Sequence, residues 1–212
     1  MFYLGSSLDN EIKSIRSSST KDLRTKFNLK KDDLVIGFVG RLVRWKGPKF
    51  LLDAFLKIDN PKVKLVYFGT GSGQSESVEE SLKKQVEKMG IQDRVIFFGF
   101  LENRALIYKL IDIFVLSSVK AEPFSTTVIE AALCKCPIIA TNIGGTPEFI
   151  KHSKNGLLVT PGNVGALAKL LLRLIEDQRF ARNLGKIAFQ DAKAFKIDNI
   201  TRNLEEIYIK LI

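Results

Sequence analysis

Short runs of apolar residues alternate along the chain with longer segments in which apolar residues recur at helical spacing. The short runs have the length and the Val, Ile and Phe content of buried strands; they cover residues 34–40, 63–69, 94–100, 112–118, 137–142 and 156–160. The longer segments predict helices over residues 48–58, 75–90, 103–111, 125–135, 164–177, 177–195 and 198–212. Regular alternation of this kind indicates a parallel sheet covered by helices on both faces.

This pattern predicts an α/β fold, a Rossmann-like doubly wound parallel sheet of about six strands. Such sheets bind ligands outside the carboxyl ends of their strands. The residues that directly follow each strand are therefore the first candidates for a binding site. Residues 1–32 are polar and are expected to form a linker that leads into a domain over residues 33–195. The segment 196–212 is predicted to be a C-terminal helix whose apolar stripe packs toward this domain or toward a first domain that this sequence lacks.

Composition narrows the class of protein. The chain has 212 residues, of which 45% are hydrophobic, enough to bury a core. No apolar run is long enough to span a membrane, and the first residues have no signal-peptide layout, so a cytoplasmic protein is expected. Cys134 and Cys136 lie too close together to build a disulfide framework, and with His152 alone they offer few metal ligands. We expect one buried and one half-buried thiol, and a histidine at the surface.

The formal net charge of +10 favours anionic partners. Lys and Arg are spread along the chain, so a generally basic surface, peripheral contact with an anionic membrane at its inner surface, and nucleic-acid binding all remain open. No basic helix interleaved with aromatic residues is present, which disfavours nucleic acid.

The loop after the first strand, GRLVRWKG at residues 40–47, places two cations beside a glycine turn. Arg41 and Lys46 could hold a diphosphate through charge-assisted hydrogen bonds, or form a solvated basic loop. The glycine turn GTGSG at 69–73, which contains Gly71, lacks the spacing of a dinucleotide fingerprint. It is interpreted either as a tight turn that lines a ligand cleft or as a plain turn.

The loop after the fourth strand places two carboxylates around a helix start. Glu122 precedes the helix and Glu130 lies inside it, while Ser125, Thr126 and Thr127 begin it. Free N–H groups at a helix start bind phosphate, and the carboxylates could accept hydroxyl groups of a sugar and a ribose. Alternatively, Glu122 caps the helix and Glu130 pairs with a lysine. After the fifth strand, Gly144 and Gly145, with Glu148 close by, suit either a close approach to a ligand or an ordinary turn.

Taken in order, these segments resemble family 4 glycosyltransferases of the GT-B fold. GRLVRWKG, GTGSG, VIFFGFL, the Glu-x7-Glu of EPFSTTVIE, CPIIATNIGGTPEFI and NGLLVTPGN occur in the family's order over about residues 33–212. The opening YLGSSLD also resembles the linker that follows the family's first domain. The set is specific, although each motif alone is loose.

The resemblance implies a role for each matching residue. Arg41 and Lys46 would bind the diphosphate of a nucleotide sugar, UDP- or GDP-hexose, and with Glu122 form the catalytic set. Glu122 would contact sugar hydroxyls, Glu130 the ribose, and the start of helix 125–135 the distal phosphate. The implied substrate-binding residues are Arg41, Lys46, Gly71, Phe100, Leu101, Glu122, Phe124, Ser125, Thr126, Thr127, Glu130, Gly144 and Gly145. Transfer with retention at the anomeric carbon, without a metal or other cofactor, to a glycan or lipid-linked acceptor is the implied reaction.

Three departures from the family pattern qualify these roles. Ser125 stands where the family has glycine, which adds a side chain beside the expected phosphate seat. Lys135 replaces the glycine that ends the helix, at a stability cost below about 1 kcal/mol. The acceptor-binding first domain does not occur in this sequence. We therefore expect the donor-binding half of a glycosyltransferase, inactive without a first domain or separate subunit, or alternatively a non-catalytic nucleotide-sugar-binding or regulatory module.

Overall fold

The computed structural model describes residues 21–195 and 197–211, and its centre is a six-stranded parallel sheet in the order β3-β2-β1-β4-β5-β6. The strands are β1 Leu34–Val39, β2 Val63–Phe68, β3 Val95–Gly99, β4 Ile113–Leu116, β5 Ile138–Thr141 and β6 Leu157–Val159. The predicted Rossmann-like doubly wound sheet is confirmed. The order reverses between β1 and β4, which pair through Ile36 and Ile113, and this reversal is where such sheets place a ligand crevice.

Helices cover both faces of the sheet. They are α1 Lys21–Lys26, α2 Pro48–Phe55, α3 Glu79–Lys88, α4 Arg104–Leu110, α5 Thr126–Leu133, α6 Thr146–Phe149, α7 Val164–Glu176, α8 Gln178–Ala192 and α9 Ile197–Leu211, with 3₁₀ turns at Arg44–Lys46 and Lys193–Phe195. Alternate residues of each strand supply two cores. Ile36 belongs to the core that includes buried residues of α2, α3 and α7, whereas Val35 belongs to the core that includes those of α4 and α5.

Residues 21–32 pack against the domain. Residues 1–20, which include YLGSSLD, lie outside the described residues. Within the expected linker, α1 forms, Leu29 is buried, and the ring of Phe27 stacks on Phe98 with centroids 3.7 Å apart. These two apolar side chains after a polar helix attach residues 21–32 to the domain that was expected to begin at residue 33.

The end of α5 shows how the chain accommodates the lost glycine. Lys135 adopts a φ of +63°, the left-handed conformation that glycine enters without steric cost. Two residues later Pro137 leads into β5. The backbone therefore keeps the helix-ending turn and carries the strain of a side chain there.

The last helix, α9, follows the 3₁₀ turn, and Asn199 Nδ2 donates to the carbonyl of Lys193 at 2.8 Å. Tyr208 and Ile209 are 66% and 73% exposed. That this helix packs toward another domain stays a prediction. Among the described residues, none of the helices combines the length and the hydropathy that a membrane-spanning helix requires.

Candidate functional site

A cavity of about 380 Å³ opens at the carboxyl edge of the sheet, where β1, β2 and β3 end. Its walls are mainly apolar, and Gly40, Gly69 and Gly99 bring the strand ends to its surface. Phe100 stands at the cavity with 78% of its area exposed. Six residues singled out in the sequence line this cavity: Arg41, Phe100, Leu101, Thr126, Thr127 and Glu130.

Glu130 is the buried carboxylate of the cavity, with 4% of its area exposed. Arg104 Nη1 lies 2.5 Å from its Oε1 atom, and the Tyr108 hydroxyl donates to Oε2 at 2.8 Å. Burial first, and then the charge of Glu130, raise the pKa of the Tyr108 hydroxyl well above its ordinary value, so this group stays a donor at neutral pH. Glu130 also lines the cavity, so a ligand bound there meets a carboxylate that Arg104 and Tyr108 hold in place.

A second cluster lies beside the cavity and is formed by the loops after β1 and β4. Lys46 Nζ lies 2.5 Å from Glu122 Oε2, and the Ser118 hydroxyl donates to the other oxygen of that carboxylate. Glu122 is 7% exposed, so its charge is compensated by a cation and a hydroxyl rather than by water. The Lys46 ammonium has three donors, and its bond to Glu122 leaves others for an anion.

Two glycines make this ion pair possible. Gly47 has a φ of +68°, and a Cβ atom there would lie 1.9 Å from the carbonyl oxygen of Ser117. Gly144 has a φ of +58°, and its Cβ would lie 2.0 Å from the carbonyl oxygen of Glu122. Because only glycine fits either position, the loops after β1, β4 and β5 approach closely enough to hold Lys46 against Glu122.

The side chain of Trp45 lies between Arg41, which lines the cavity, and Lys46, which pairs with Glu122. Lys46 Nζ lies 4.4 Å from the centroid of its ring and the Arg41 guanidinium carbon lies 5.5 Å away, so two cations share one aromatic ring. Arg41 also donates to Gln74 Oε1 at 3.1 Å and is otherwise exposed. The two predicted phosphate-binding cations are therefore neighbours around the Trp45 ring, and one of them, Arg41, lines the cavity.

The start of α5 faces the same region. Ser125 is the N-cap residue, but its side chain does not cap the helix; its Oγ lies 2.8 Å from Thr127 Oγ1. Among the described residues, no acceptor bonds the backbone N–H groups of Thr126 and Thr127. Unbonded N–H groups at the positive end of a helix attract anions. Thr126 and Thr127 line the cavity together with Glu130.

The glycine turn after β2 is held by the protein itself. Gly71 N–H and the Thr70 hydroxyl donate to one oxygen of Glu79, at 2.7 and 2.6 Å. The bonds from Lys83, Thr70 and Gly71 outweigh partial burial and lower the pKa of Glu79. Thr70 lines the cavity, whereas the buried Gly71, a predicted substrate-binding residue, does not.

The remaining predicted residues surround Glu122 rather than the cavity. Gly145 N–H donates to the Glu122 carbonyl at 3.0 Å. The ring of Phe124 stacks on Phe195, with centroids 5.6 Å apart, and Glu148 is exposed on α6. Outside the site, His152 is exposed, Cys136 is buried and Cys134 is half-buried, as predicted.

Sequence reasoning missed the partners of both carboxylates. Glu130 pairs with Arg104 instead of the lysine considered, and Glu122 pairs with Lys46, which had been assigned a separate role. The four-residue spacing of Arg104 and Tyr108 would have shown that both point to one side of α4. No signal in the sequence links Ser118 or Lys46 to Glu122.

The chain belongs to the glycosyl transferases group 1 family, whose model matches residues 19–191. An uncharacterized glycosyltransferase of Methanocaldococcus jannaschii is 31% identical over 191 residues, covering 88% of this chain and 47% of that protein. The D-inositol 3-phosphate glycosyltransferase of Mycobacterium leprae is 30% identical over 207 residues, covering 95% of this chain and 47% of that protein. The chain thus spans about half the length of these curated relatives.

Solved structures show the same architecture in GT-B glycosyltransferases. Anabaena HepE in complex with UDP-glucose superposes with a TM-score of 0.85 at 28% identity, covering 99% of this chain and 57% of that one. The same protein with UDP and glucose gives a TM-score of 0.86 at 27% identity, covering 98% of this chain and 55% of that one.

Proposed function

We propose that this chain is the donor-binding half of a retaining glycosyltransferase and that its cavity holds the nucleoside diphosphate of a UDP- or GDP-sugar. One observation carries the proposal: Arg41 and the start of α5, with its unbonded N–H groups, line a cavity that also contains Glu130, and Lys46 contacts the same tryptophan ring as Arg41. Positive groups around an apolar hollow with one buried carboxylate suit a ligand with a base, a ribose and a diphosphate.

Each part of the donor has a place in this arrangement. The base stacks beside Phe100 and Leu101, and Glu130 accepts the ribose hydroxyls while Arg104 and Tyr108 hold its carboxylate in position. The diphosphate binds Arg41, Lys46 and the start of α5. Glu122, beside Lys46, accepts hydroxyls of the sugar. HepE, a relative in fold, was crystallised with UDP-glucose, which supports a uridine donor.

In the proposed reaction the bond between the anomeric carbon and the diphosphate oxygen breaks. The acceptor hydroxyl attacks the same face, its proton passes to the departing diphosphate, and the glycoside keeps the configuration of the donor. Lys46, Arg41 and the α5 N-terminus stabilise the negative charge that develops on the leaving group, without a metal. The acceptor, a glycan or a lipid-linked sugar, binds a first domain or separate subunit that meets this cleft.

Isothermal titration calorimetry of the chain with UDP, UDP-glucose and GDP tests the donor site. Arg41→Ala and Lys46→Ala should each weaken binding by roughly 1–3 kcal/mol, the value of one charged hydrogen bond. Lys49→Ala is the matched control, because Lys49 is nearby and exposed but pairs with Asp53 outside the cavity. Unchanged affinity in both site variants would contradict the proposal.

A non-catalytic nucleotide-sugar-binding module is the alternative, and Ser125 favours it. Its side chain is 6% exposed and bonded to Thr127, so it occupies part of the expected phosphate seat. A transfer assay on the chain combined with a first domain from a relative separates the two functions. Glycoside formation supports the enzyme, whereas binding without turnover supports the module.

A further inference from the structure

The exposed face of α8 carries a row of four cations, Arg179, Arg182, Lys186 and Lys193, the last at the turn that follows the helix. All four side chains are exposed. At about 3.6 residues per turn, these positions fall within an arc of about 60° around the helix and span about 21 Å along its axis. We refer to these four residues as the α8 basic stripe.

The positive charge of the stripe is not compensated locally. Within residues 21–195 and 197–211, no carboxylate lies within 4.0 Å of any of the four cations. The two acids of this segment are engaged elsewhere: Asp177 accepts from the N–H of Phe180, and Asp191 accepts from Asn155 Nδ2 at 2.8 Å. Lysines elsewhere on the surface, such as Lys49 and Lys83, do have carboxylate partners.

The surface around the stripe has two hollows that share Lys186. One, of about 590 Å³, is lined by Arg179, Arg182 and Lys186, three cations against one carboxylate, that of Asp177. The other, of about 350 Å³, is lined by Lys186, Phe189 and Lys135. The ring of Phe189 lies between two ammonium groups, 4.9 Å from Lys135 Nζ and 5.0 Å from Lys193 Nζ. Cations that surround hollows of this size suit anionic headgroups, and a half-buried aromatic ring suits the boundary between headgroups and acyl chains.

The position of the stripe leaves the donor cavity accessible. The opposite face of α8 packs into the domain through Ala181, Leu184 and Ala188. Midway along the helix, Gly185 lies against the carbonyl of Lys135, at the end of α5 that is remote from the cavity. A flat surface that covers most of the stripe therefore contacts the outer helical layer and not the carboxyl edge of the sheet.

We infer that the α8 basic stripe docks this protein on an anionic lipid surface by binding headgroup phosphates. A straight row of point charges on one convex helix matches a plane of headgroups. This inference does not depend on the proposed donor site, since no residue of the stripe lines that cavity.

Co-sedimentation of the full chain with vesicles tests the inference. Two kinds of vesicle are used, phosphatidylcholine alone and phosphatidylcholine mixed with phosphatidylglycerol. The unmodified chain is compared with a triple variant that carries Arg179→Gln, Arg182→Gln and Lys186→Gln. Since each cation near an anionic membrane contributes about a fivefold gain in partitioning, the triple variant should bind anionic vesicles about 100-fold more weakly than the unmodified chain. The matched control is a second triple variant, which carries Lys57→Gln, Lys84→Gln and Lys88→Gln. It removes the same charge from exposed lysines elsewhere and should bind like the unmodified chain.

Three results would overturn the inference. An equal loss in both triple variants would assign binding to net charge alone, and equal binding to uncharged vesicles would exclude electrostatic docking. Tighter binding to duplex DNA in a gel-shift assay than to anionic vesicles, at matched phosphate and salt concentration, would identify nucleic acid as the partner. Melting curves by circular dichroism establish that both variants fold, and Lys46→Ala should bind vesicles normally even where it loses UDP.

Discussion

Lys46 and Glu122 are separated by 76 positions in the chain, yet the Lys46 ammonium lies 2.5 Å from Oε2 of Glu122. The pair ties the loop after β1 to the loop after β4, on the two sides of the point where the strand order reverses. It therefore fixes the distance between these two loops as well as the position of the Lys46 ammonium.

Glu122→Gln should separate these two effects. Loss of the carboxylate leaves Lys46 without its buried partner and should lower the free energy of unfolding by about 1–3 kcal/mol. UDP affinity should remain or rise, because Lys46 is then free to bind phosphate, whereas the added affinity of UDP-glucose over UDP should fall.

Urea denaturation and calorimetry with both ligands measure these changes. Asp53→Asn is the control, since the Lys49–Asp53 pair is exposed and should contribute less than about 1 kcal/mol. An unchanged difference between UDP-glucose and UDP would remove Glu122 from the sugar site.

Phe100 should contribute to nucleotide affinity by stacking on the base. Its ring lines the cavity and is 78% exposed without a ligand, so Phe100→Ala should cost about 1–3 kcal/mol of UDP binding and little stability. Met89→Ala provides the control, because Met89 is also exposed, at 47%, but does not line the cavity. Equal affinities of the Phe100 variant and the unmodified chain would place the base elsewhere.

Gly47→Ala should lower the stability of the fold more than Gly162→Ala. Both glycines have a left-handed backbone, with φ of +68° and +76°. A Cβ at Gly162 meets nothing within 4 Å. The free energy of unfolding of that variant should therefore fall only by the cost of the left-handed conformation, about 1–2 kcal/mol. At Gly47 the same Cβ collides with the Ser117 carbonyl, which should add about 1–3 kcal/mol and weaken UDP binding. Thermal denaturation of the two variants compares them; similar melting temperatures would show that the loop after β1 can move aside.

Tyr67 and Tyr108 should make the fold sensitive to alkali. Burial raises the pKa of both hydroxyls, and the charge of Asp53 or Glu130 adds to the effect. Each folded pKa lies above the unfolded value of about 10, so the associated stability is fully present below that pH. Above it the unfolded chain releases a proton that the folded chain retains, and stability falls by about 1.4 kcal/mol per pH unit for each tyrosine.

Tyr108→Phe and Tyr67→Phe should therefore each make the fall in unfolding free energy above pH ~10 less steep by about that amount, and the double variant by twice as much. Urea denaturation followed by circular dichroism over this range gives the slopes. Slopes equal to that of the unmodified chain in all three variants would show that neither hydroxyl retains its proton.

The sheet was predictable because its signal is local. β1 is an apolar run and β2 is one interrupted only by Lys64; they end at Gly40 and Gly69, so their bounds differ from the predicted ones by a single residue. The helix Thr146–Phe149 was not predicted, since four residues are too few to show a helical period. α1 was missed because Lys21–Lys26 is polar, with no apolar stripe to distinguish it from a linker.

The site was predictable only in part, because some of its contacts join residues that are distant in the sequence. The resemblance and the strand ends identified Arg41, Thr126 and Glu130, which line one cavity. The pairing of Lys46 with Glu122 depends on loops that are distant in sequence and on the close approach at Gly144. Contacts of this kind follow from tertiary packing and leave no periodicity in the chain.

Trp45 lies between Arg41 and Lys46, and it is the only tryptophan of the chain. Indole emission depends on nearby charge and on contact with water, so its intensity and wavelength should change when an anion moves the two cations. The protein therefore carries an intrinsic fluorophore at the place where the diphosphate is proposed to bind, and titrations with unlabelled donors can be read without any added dye.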